Sequence, residues 1–406
     1  MSILRNRDRA ETAYSQRAVH IVIGAILVDT IGFGVVTPVL PELITRISDQ
    51  SLIEASRTAG WMLVIFAMGQ FFAGPIMGQL GDRFGRRPVL MIAMFAFAAD
   101  YLLMAWAPSL FWLFLGRVIA GISGAVLGPA SAAVADVTPP EKRSAAFGMV
   151  GAAFGVGFIV GPALGGMVAG ISPRAPFIVA AGLAALNAVA MLLLLPETLK
   201  PENRRPFRLR DAHLLGSFRP LFEAGNAAPL LVAWLLWQLG SLVYPATWAF
   251  WGALNFGWNA RAIGLSLAYI GLMMVLVQSL LTGRIVGWLG EKRAAIMGLF
   301  CSAATMFAYA FATEGWQVYA FFAVGAIGAV AYPALNGALS KMVDAGRQGA
   351  LQGGIASLNS VAAVTGPLLF SQTLAAGAAQ GFAGAALLVA GALTAAAGLI
   401  IAKIRV

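Results

Sequence analysis

Twelve runs of apolar residues constrain this chain more than any other feature. They fall at about 19–39, 58–77, 88–107, 111–133, 146–170 and 176–195, then at about 229–252, 263–283, 293–312, 316–339, 351–374 and 380–402. A helix of about 20 such residues crosses a hydrocarbon layer about 30 Å thick. An open chain in lipid must satisfy its backbone polar groups within each segment, so helices are the only solution. The reading is an all-α membrane protein with twelve transmembrane helices. Composition agrees: 60% of residues are hydrophobic and 11% charged, with a mean hydropathy of +0.82, which excludes an ordinary soluble protein. Arg5, Arg7, Arg9 and Arg17 before the first run resemble the start of a signal peptide. That run is too long, however, contains Asp29 and lacks a small-residue cleavage site, so it reads as a span.

The net charge of +10 does not point to nucleic acid, because the basic residues lie in short turns and form no continuous face. They orient the chain instead. The tails and the even-numbered turns hold 22 of the 27 basic residues, whereas the opposite turns hold Arg46, Arg57, Arg174 and Arg261. Both termini are therefore expected to be cytoplasmic. The one long polar stretch, 196–228, carries Lys200, Arg204, Arg205, Arg208, Arg210 and Arg219 and reads as a linker between halves at 1–195 and 229–406.

The turn between the second and third runs, Gly78-Gln79-Leu80-Gly81-Asp82-Arg83-Phe84-Gly85-Arg86-Arg87, combines glycines that let helix ends approach with a charged clasp. Topology alone can place arginines in such a turn. A faint copy 205 residues later argues for more, since Gly78, Gly85 and Arg87 fall on Gly283, Gly290 and Lys292. The same offset carries Gly148 onto Gly353 and Gly161-Pro162 onto Gly366-Pro367, so two homologous halves are expected.

Two acids, Asp29 and Asp100, and one base, Arg117, lie inside spans. Each costs about 2.5–3.5 kcal/mol at a helix centre on insertion scales, so each should face a cavity or a partner. One reading is a buried ion pair that only holds helices together. The other follows from the count: Arg117 neutralises at most one acid, and the remaining carboxylate can titrate on a water-filled path. Asp136, Glu141, Lys142 and Arg143 at the end of span 4 are read as helix capping and loop pairing.

Span 5 carries Gly148, Gly157, Gly161-Pro162 and Gly165, a pattern for close helix packing with one weakened turn. In the second half no span contains an acid or a histidine, and its polar residues are aromatic and amide. They are Trp237, Gln238, Tyr244, Trp248 and Trp251 in span 7, Tyr269 and Gln278 in span 8, Tyr332 and Asn336 in span 10, and Asn359 in span 11. Such side chains suit an aromatic or amphipathic compound, although Trp and Tyr near span ends also form interfacial belts. The single cysteine, Cys301, excludes an internal disulfide. His20 and His213 are isolated, no Cys/His cluster suggests a metal, and no G-x-x-x-x-G-K-[ST] loop is present for ATP.

The Gly78–Arg87 turn resembles the signature loop of the major facilitator superfamily, and the span-5 glycines resemble the motif of its drug/proton antiporters. Arg117 with Gly121, Gly124 and Ala125 resembles the span-4 motif. Val28-Asp29-Thr30-Ile31-Gly32-Phe33-Gly34, Ala99-Asp100-Tyr101-Leu102-Leu103, Asn255-Phe256-Gly257-Trp258-Asn259 and Gly366-Pro367-Leu368-Leu369-Phe370 are similar to segments of the bacterial tetracycline/proton antiporters. The resemblance runs from span 1 to span 11. It implies two six-helix bundles, each of inverted three-helix repeats, and alternating access around a midplane cavity. It further implies that Asp29, Asp100 and Arg117 handle protons and substrate, that Gln70 and Gln278 face the path, and that Asp82, Arg83, Arg86 and Arg87 latch the cytoplasmic gate. Where the familiar exporters carry a span-8 histidine and a span-9 aspartate, this chain has Met274 and Ser302. The expected function is proton-coupled export of a small amphipathic, drug-like compound across the bacterial inner membrane, without a cofactor and as a monomer. Uptake of a metabolite or sugar by a facilitator or symporter of the same fold is the alternative.

Overall fold

A computed structural model of the chain describes residues 2–207, 228–341 and 348–404. Most of the expected linker, including Arg208, Arg210, His213 and Arg219, lies outside the described residues. All regular secondary structure among the described residues is helical, with no strand. The spans are α1 (Arg17–Ser48), α2 (Leu52–Phe84), α3 (Arg86–Ala105), α4 (Leu110–Val137), α5 (Pro140–Val168) and α6 (Ala175–Leu194). After the linker come α7 (Ala228–Phe256) and a continuous apolar stretch, Ala260–Ala310. That stretch bends at Gly290, whose φ of 75° is non-helical, and so divides into α8 and α9. It is followed by α10 (Gly315–Lys341), α11 (Leu351–Ala379) and α12 (Ala385–Lys403), giving twelve membrane helices among the described residues.

Every third helix is broken. In α1 a short 3-10 turn at Thr37–Val39, held by Pro38 and Pro41, separates Val36 from Leu40. The breaks in α4, α7 and α10 fall after Gly124, at Leu242 and over Ala326–Val330. A period of three is what repeated three-helix units would leave. Such breaks free backbone carbonyls and amides inside the membrane, which is tolerated only against protein or a water-lined face.

The chain forms two compact units: Met1–Val36 with Met68–Leu214, and Thr37–Ala67 with Leu215–Val406. In the first, α1 packs on α5 and α6, and α3 packs on α4 and α6. In the second, α7 and α9 pack on α12, and α7 also on α11. A division at residue 195 would leave all of α1 and α2 in the first half; instead Thr37–Ala67 packs within the second unit. The Thr37–Val39 turn rests on Val243–Phe256 and on the first part of α8. Further along, Gly60 approaches α11 so closely that a Cβ there would lie 1.9 Å from Ser371 Oγ.

Candidate functional site

In the first unit the membrane-embedded charges come from α1, α3 and α4. Arg117 Nη2 lies 3.4 Å from Asp100 Oδ2 and donates to Met104 Sδ at 2.6 Å. Asp100 is fully buried and Arg117 6% exposed. Gly116 makes room for the pair, since a Cβ there would sit 2.6 Å from Asp100 Oδ1. Asp29, half-buried on α1, makes no ion pair or hydrogen bond among the described residues. Tyr101, next in sequence to Asp100, brings its hydroxyl to 3.1 Å from where a Cβ of Gly32 would be, one turn beyond Asp29. Its ring is within electrostatic reach of Asp29, Arg117 and Asp100, so the four groups form one cluster. The acid that Arg117 neutralises is Asp100, and Asp29 is the acid left over.

Two further elements hold this cluster in place. Gln70 Nε2 donates to Gly124 O at 3.3 Å, one of the carbonyls at the break in α4, so this amide braces the broken helix that carries Arg117. On α5, Gly157, Gly161 and Gly165 form a strip one turn apart against the backbone of Thr30–Val35. A Cβ on Gly161 would lie 2.7 Å from Ile31 O, and one on Gly165 would lie 2.2 Å from Val35 O. Any side chain on this strip would push away the turn of α1 that follows Asp29. Gly148 has open space around it and takes no part in the strip.

The loop between α2 and α3 closes around Arg86, which is 7% exposed. Its guanidinium meets Asp82 Oδ1 at 2.6 Å and Asp136 Oδ2 at 3.3 Å, while its backbone N–H donates to Glu197 Oε1 at 2.8 Å. Glu197 thus supplies a carboxylate to the N-terminus of α3, where the helix dipole favours one. Gly85 makes this possible: its φ is +102°, and a Cβ would lie 2.1 Å from Glu197 Oε2. Arg87 donates to Leu192 O at 2.6 Å, near the end of α6, and Arg83 lies over the Phe84 ring at 5.0 Å. The backbone N–H of Arg205 donates to Asp82 O at 3.0 Å. Asp136 therefore pairs with the loop, as one part of its reading expected, and is a member of the clasp, while Glu197 was hidden in what reads as the first residues of the linker.

The second unit repeats this arrangement with its charges exchanged. Glu291 and Lys341 stand 205 positions after Arg86 and Asp136, and they pair at 2.9 Å. Gly290 keeps the positive φ of Gly85, and Lys292 Nζ donates to Ile404 O just beyond α12, as Arg87 does near the end of α6.

The eight cavity candidates separate in the structure. Gln70 braces α4, as described. Trp237 and Asn359 each meet Trp234, and Asn336 lies one turn after Tyr332 on α10. Trp234 Nε1 donates to Asn359 Oδ1 at 2.9 Å, and the rings of Trp234, Trp237 and Tyr332 lie 5.4–6.0 Å apart. Gln352 Nε2 donates to Asn336 Oδ1 at 3.1 Å, adding a residue the sequence did not single out. Gln238 is half-buried beside Trp237. Tyr244 and Tyr269 belong elsewhere, with an aromatic core built by the second segment of α7. Tyr244 lies against Trp248 at 5.7 Å, and the Tyr269 hydroxyl donates to Tyr319 O at 3.1 Å. Trp248 and Trp251 are each 1% exposed in that core and are packing residues, not part of a substrate wall. Gln278 is exposed in a π-turn, Val277–Leu281, that interrupts α8. Thr282 holds the turn open by donating to Val277 O through both its backbone N–H and its hydroxyl.

Comparison with known proteins matches residues 22–367 to the Major Facilitator Superfamily. The chain is 40% identical over 364 residues to the tetracycline resistance protein, class C, of Escherichia coli, covering 90% of this chain and 91% of that one. It is 38% identical over 351 residues to the class G protein of Vibrio anguillarum, covering 84% and 86%. Among solved structures, the human organic anion transporter MFSD10 (TETRAN) superposes with a TM-score of 0.70 at 24% identity, covering 95% of this chain and 99% of that one, a likeness of fold. Twelve helices, two related clasps and these matches together make the chain a multi-pass membrane transporter that belongs to the Major Facilitator Superfamily, in the group of the bacterial tetracycline resistance proteins.

Proposed function

We propose that this protein exports a small amphipathic, drug-like compound in exchange for protons by alternating access. It would act as a monomer in the bacterial inner membrane with both termini cytoplasmic, drawing on the proton gradient and needing no cofactor. The observation that carries the reading is the unequal fate of the two membrane acids: Asp100 is paired with Arg117, and Asp29 has no ion pair among the described residues. An ionised carboxylate without a partner is costly in a membrane-embedded site. Asp29 therefore holds either a proton or the positive charge of a substrate, and that mutual exclusion is the basis of exchange. Proton entry releases substrate on one side, and proton loss prepares the acid for the next molecule. The relatives' names, tetracycline resistance proteins of two classes, support export of an antibiotic-like compound.

The test uses everted vesicles with a stable pH gradient, challenged with tetracycline and a panel of aromatic cations. A compound that discharges the gradient through the parent protein, with the response lost in Asp29→Asn, supports the reading. Discharge at the parental rate in Asp29→Asn contradicts it. The direction of movement separates this reading from the uptake alternative, because an antiporter moves substrate against the proton flux and a symporter moves it with that flux.

A further inference from the structure

From Ala175 to Leu194, α6 carries a single side chain with hydrogen-bonding groups, Asn187. A lone amide on a membrane helix is costly against lipid, and this one is buried where α6 packs on α1 and α3, at 7% exposure. Its NH2 group donates twice, to Ala25 O of α1 at 3.0 Å and to Met94 Sδ of α3 at 3.3 Å. A carbonyl oxygen only accepts, so the end of the amide that meets Ala25 is its nitrogen. Ala25 O is also the acceptor that helical geometry assigns to the backbone N–H of Asp29, four residues on. Asn187 thus ties down the turn of α1 that ends in Asp29. Beyond that turn, Thr30–Val35 lies against the glycine strip of α5, so α1 is held by α6 before Asp29 and by α5 after it. The second unit has no such tie: 205 positions on, Ala392 stands for Asn187 and Trp234 for Asp29. The titratable and charged groups near Asp29 are Tyr101, Asp100 and Arg117, while Gly157–Gly165 of α5 and the whole of α6 bring none.

We propose that Asn187 is a positioning residue for Asp29; its weight in transport rests on the reading of Asp29 as the acid that exchanges protons. It acts through the backbone of α1 and not on the carboxyl itself. By holding Ala25 O it fixes the rotation of the turn and keeps the Asp29 carboxyl on the side of α1 where Tyr101 lies. Without it Ala25 O keeps its helical N–H, so no backbone group is orphaned, but the turn is free to rotate and carry the carboxyl toward lipid.

The experiment is labelling of the full-length protein in membranes with dicyclohexylcarbodiimide, which dissolves in the bilayer and modifies protonated carboxyls. Mass spectrometry reads the rate at Asp29 and at Asp100 in the same sample. Asn187→Leu is expected to raise labelling of Asp29 about threefold, the worth of one interhelical hydrogen bond, and to leave Asp100 unchanged. Asn187→Ser, smaller and with its donor too short to reach Ala25, gives the same rise should Asn187→Leu fail to fold. Met94→Leu removes the sulfur contact, keeps the bond to Ala25 O and changes neither rate. Three results overturn the proposal: unchanged labelling of Asp29 in a folded Asn187 variant, an equal rise at both acids, or the same rise in Met94→Leu. In proteoliposomes Asn187→Leu should lose proton-driven accumulation severalfold and retain counterflow. If Asp29 labelling rises as expected while proton-driven accumulation stays at the parental level, Asn187 positions Asp29 and the reading of Asp29 as the exchanging acid falls.

Discussion

The two units keep one backbone plan and fill it with opposite chemistry. Positions related by the 205-residue offset carry Asp29 and Trp234, Asp100 and Thr305, Arg117 and Phe322. Where the first unit places a carboxylate, the second places an indole that orients an amide. Where the first buries an ion pair, the second has a hydroxyl bonded to its own helix, Thr305 to Cys301 O at 2.8 Å, and a buried phenylalanine. At the loop ends the plan survives with its sign reversed, Arg86–Asp136 against Glu291–Lys341. The helices and several close contacts thus correspond across the offset, while the side chains they carry differ. In the function proposed above, charge handling falls to the first unit.

The comparison is broken most severely at the buried pair. Arg117→Leu leaves Asp100 buried without its counter-charge, at a cost of about 3–5 kcal/mol. Thermal unfolding in detergent should show a large loss, and Arg117→Leu with Asp100→Leu should recover most of it. Equal loss in the single and double variants would mean that the two residues do not act as a pair. Phe322→Leu, at the related position, should cost less than about 1.5 kcal/mol, as a near-conservative apolar change does.

The span-5 and span-11 glycines sharpen the comparison at a smaller scale. A Cβ on Gly161 meets the backbone of α1, whereas one on Gly366 meets the Leu242 side chain at 2.8 Å, which can shift. Gly161→Ala should therefore cost about 1–3 kcal/mol and slow transport, with a weaker effect for Gly366→Ala. Gly148→Ala, in open space, should do neither. Initial transport rates and melting temperatures of the three variants check the order.

Least affected should be the exposed clasp. The Lys341 side chain is 71% exposed, and surface pairs of this kind are worth about 0–1 kcal/mol. Lys341→Ala should leave stability nearly unchanged, while Arg86→Gln, which strips two carboxylates and a buried position, should impair transport clearly. If both behave alike, the second clasp matters as much as the first.

Much of this was legible because membrane physics restricts the alphabet. Runs of about 20 apolar residues announce helices without ambiguity, and an acid or base inside one declares itself by its cost. Pairing was not legible, because Asp29 and Asp100 both lie deep in their spans and only helix rotation decides which one Arg117 reaches. The aromatic residues of span 7 could not be sorted for a related reason. The break at Leu242 gives Trp234 and Trp237 to one segment and Trp248 and Trp251 to the next, and no periodicity carries across it. Glu197 escaped because it sits past the last apolar residue of span 6, in polar sequence that looks like linker. Asp136 and Lys341 could have been found by extending the 205-residue offset from glycines to charges.

The assignment of proton exchange to Asp29 is tested most directly by separating exchange from coupling in proteoliposomes. Substrate counterflow, in which labelled and unlabelled molecules trade places without net proton movement, is compared with accumulation driven by an imposed pH gradient, for the parent and Asp29→Asn. The expected result is that the Asp29→Asn variant retains counterflow and loses proton-driven accumulation, because asparagine keeps a polar side chain on the path and the titrating group is gone. Proton-driven accumulation at the parental level in Asp29→Asn would contradict the assignment of proton exchange to the first unit's unpaired acid.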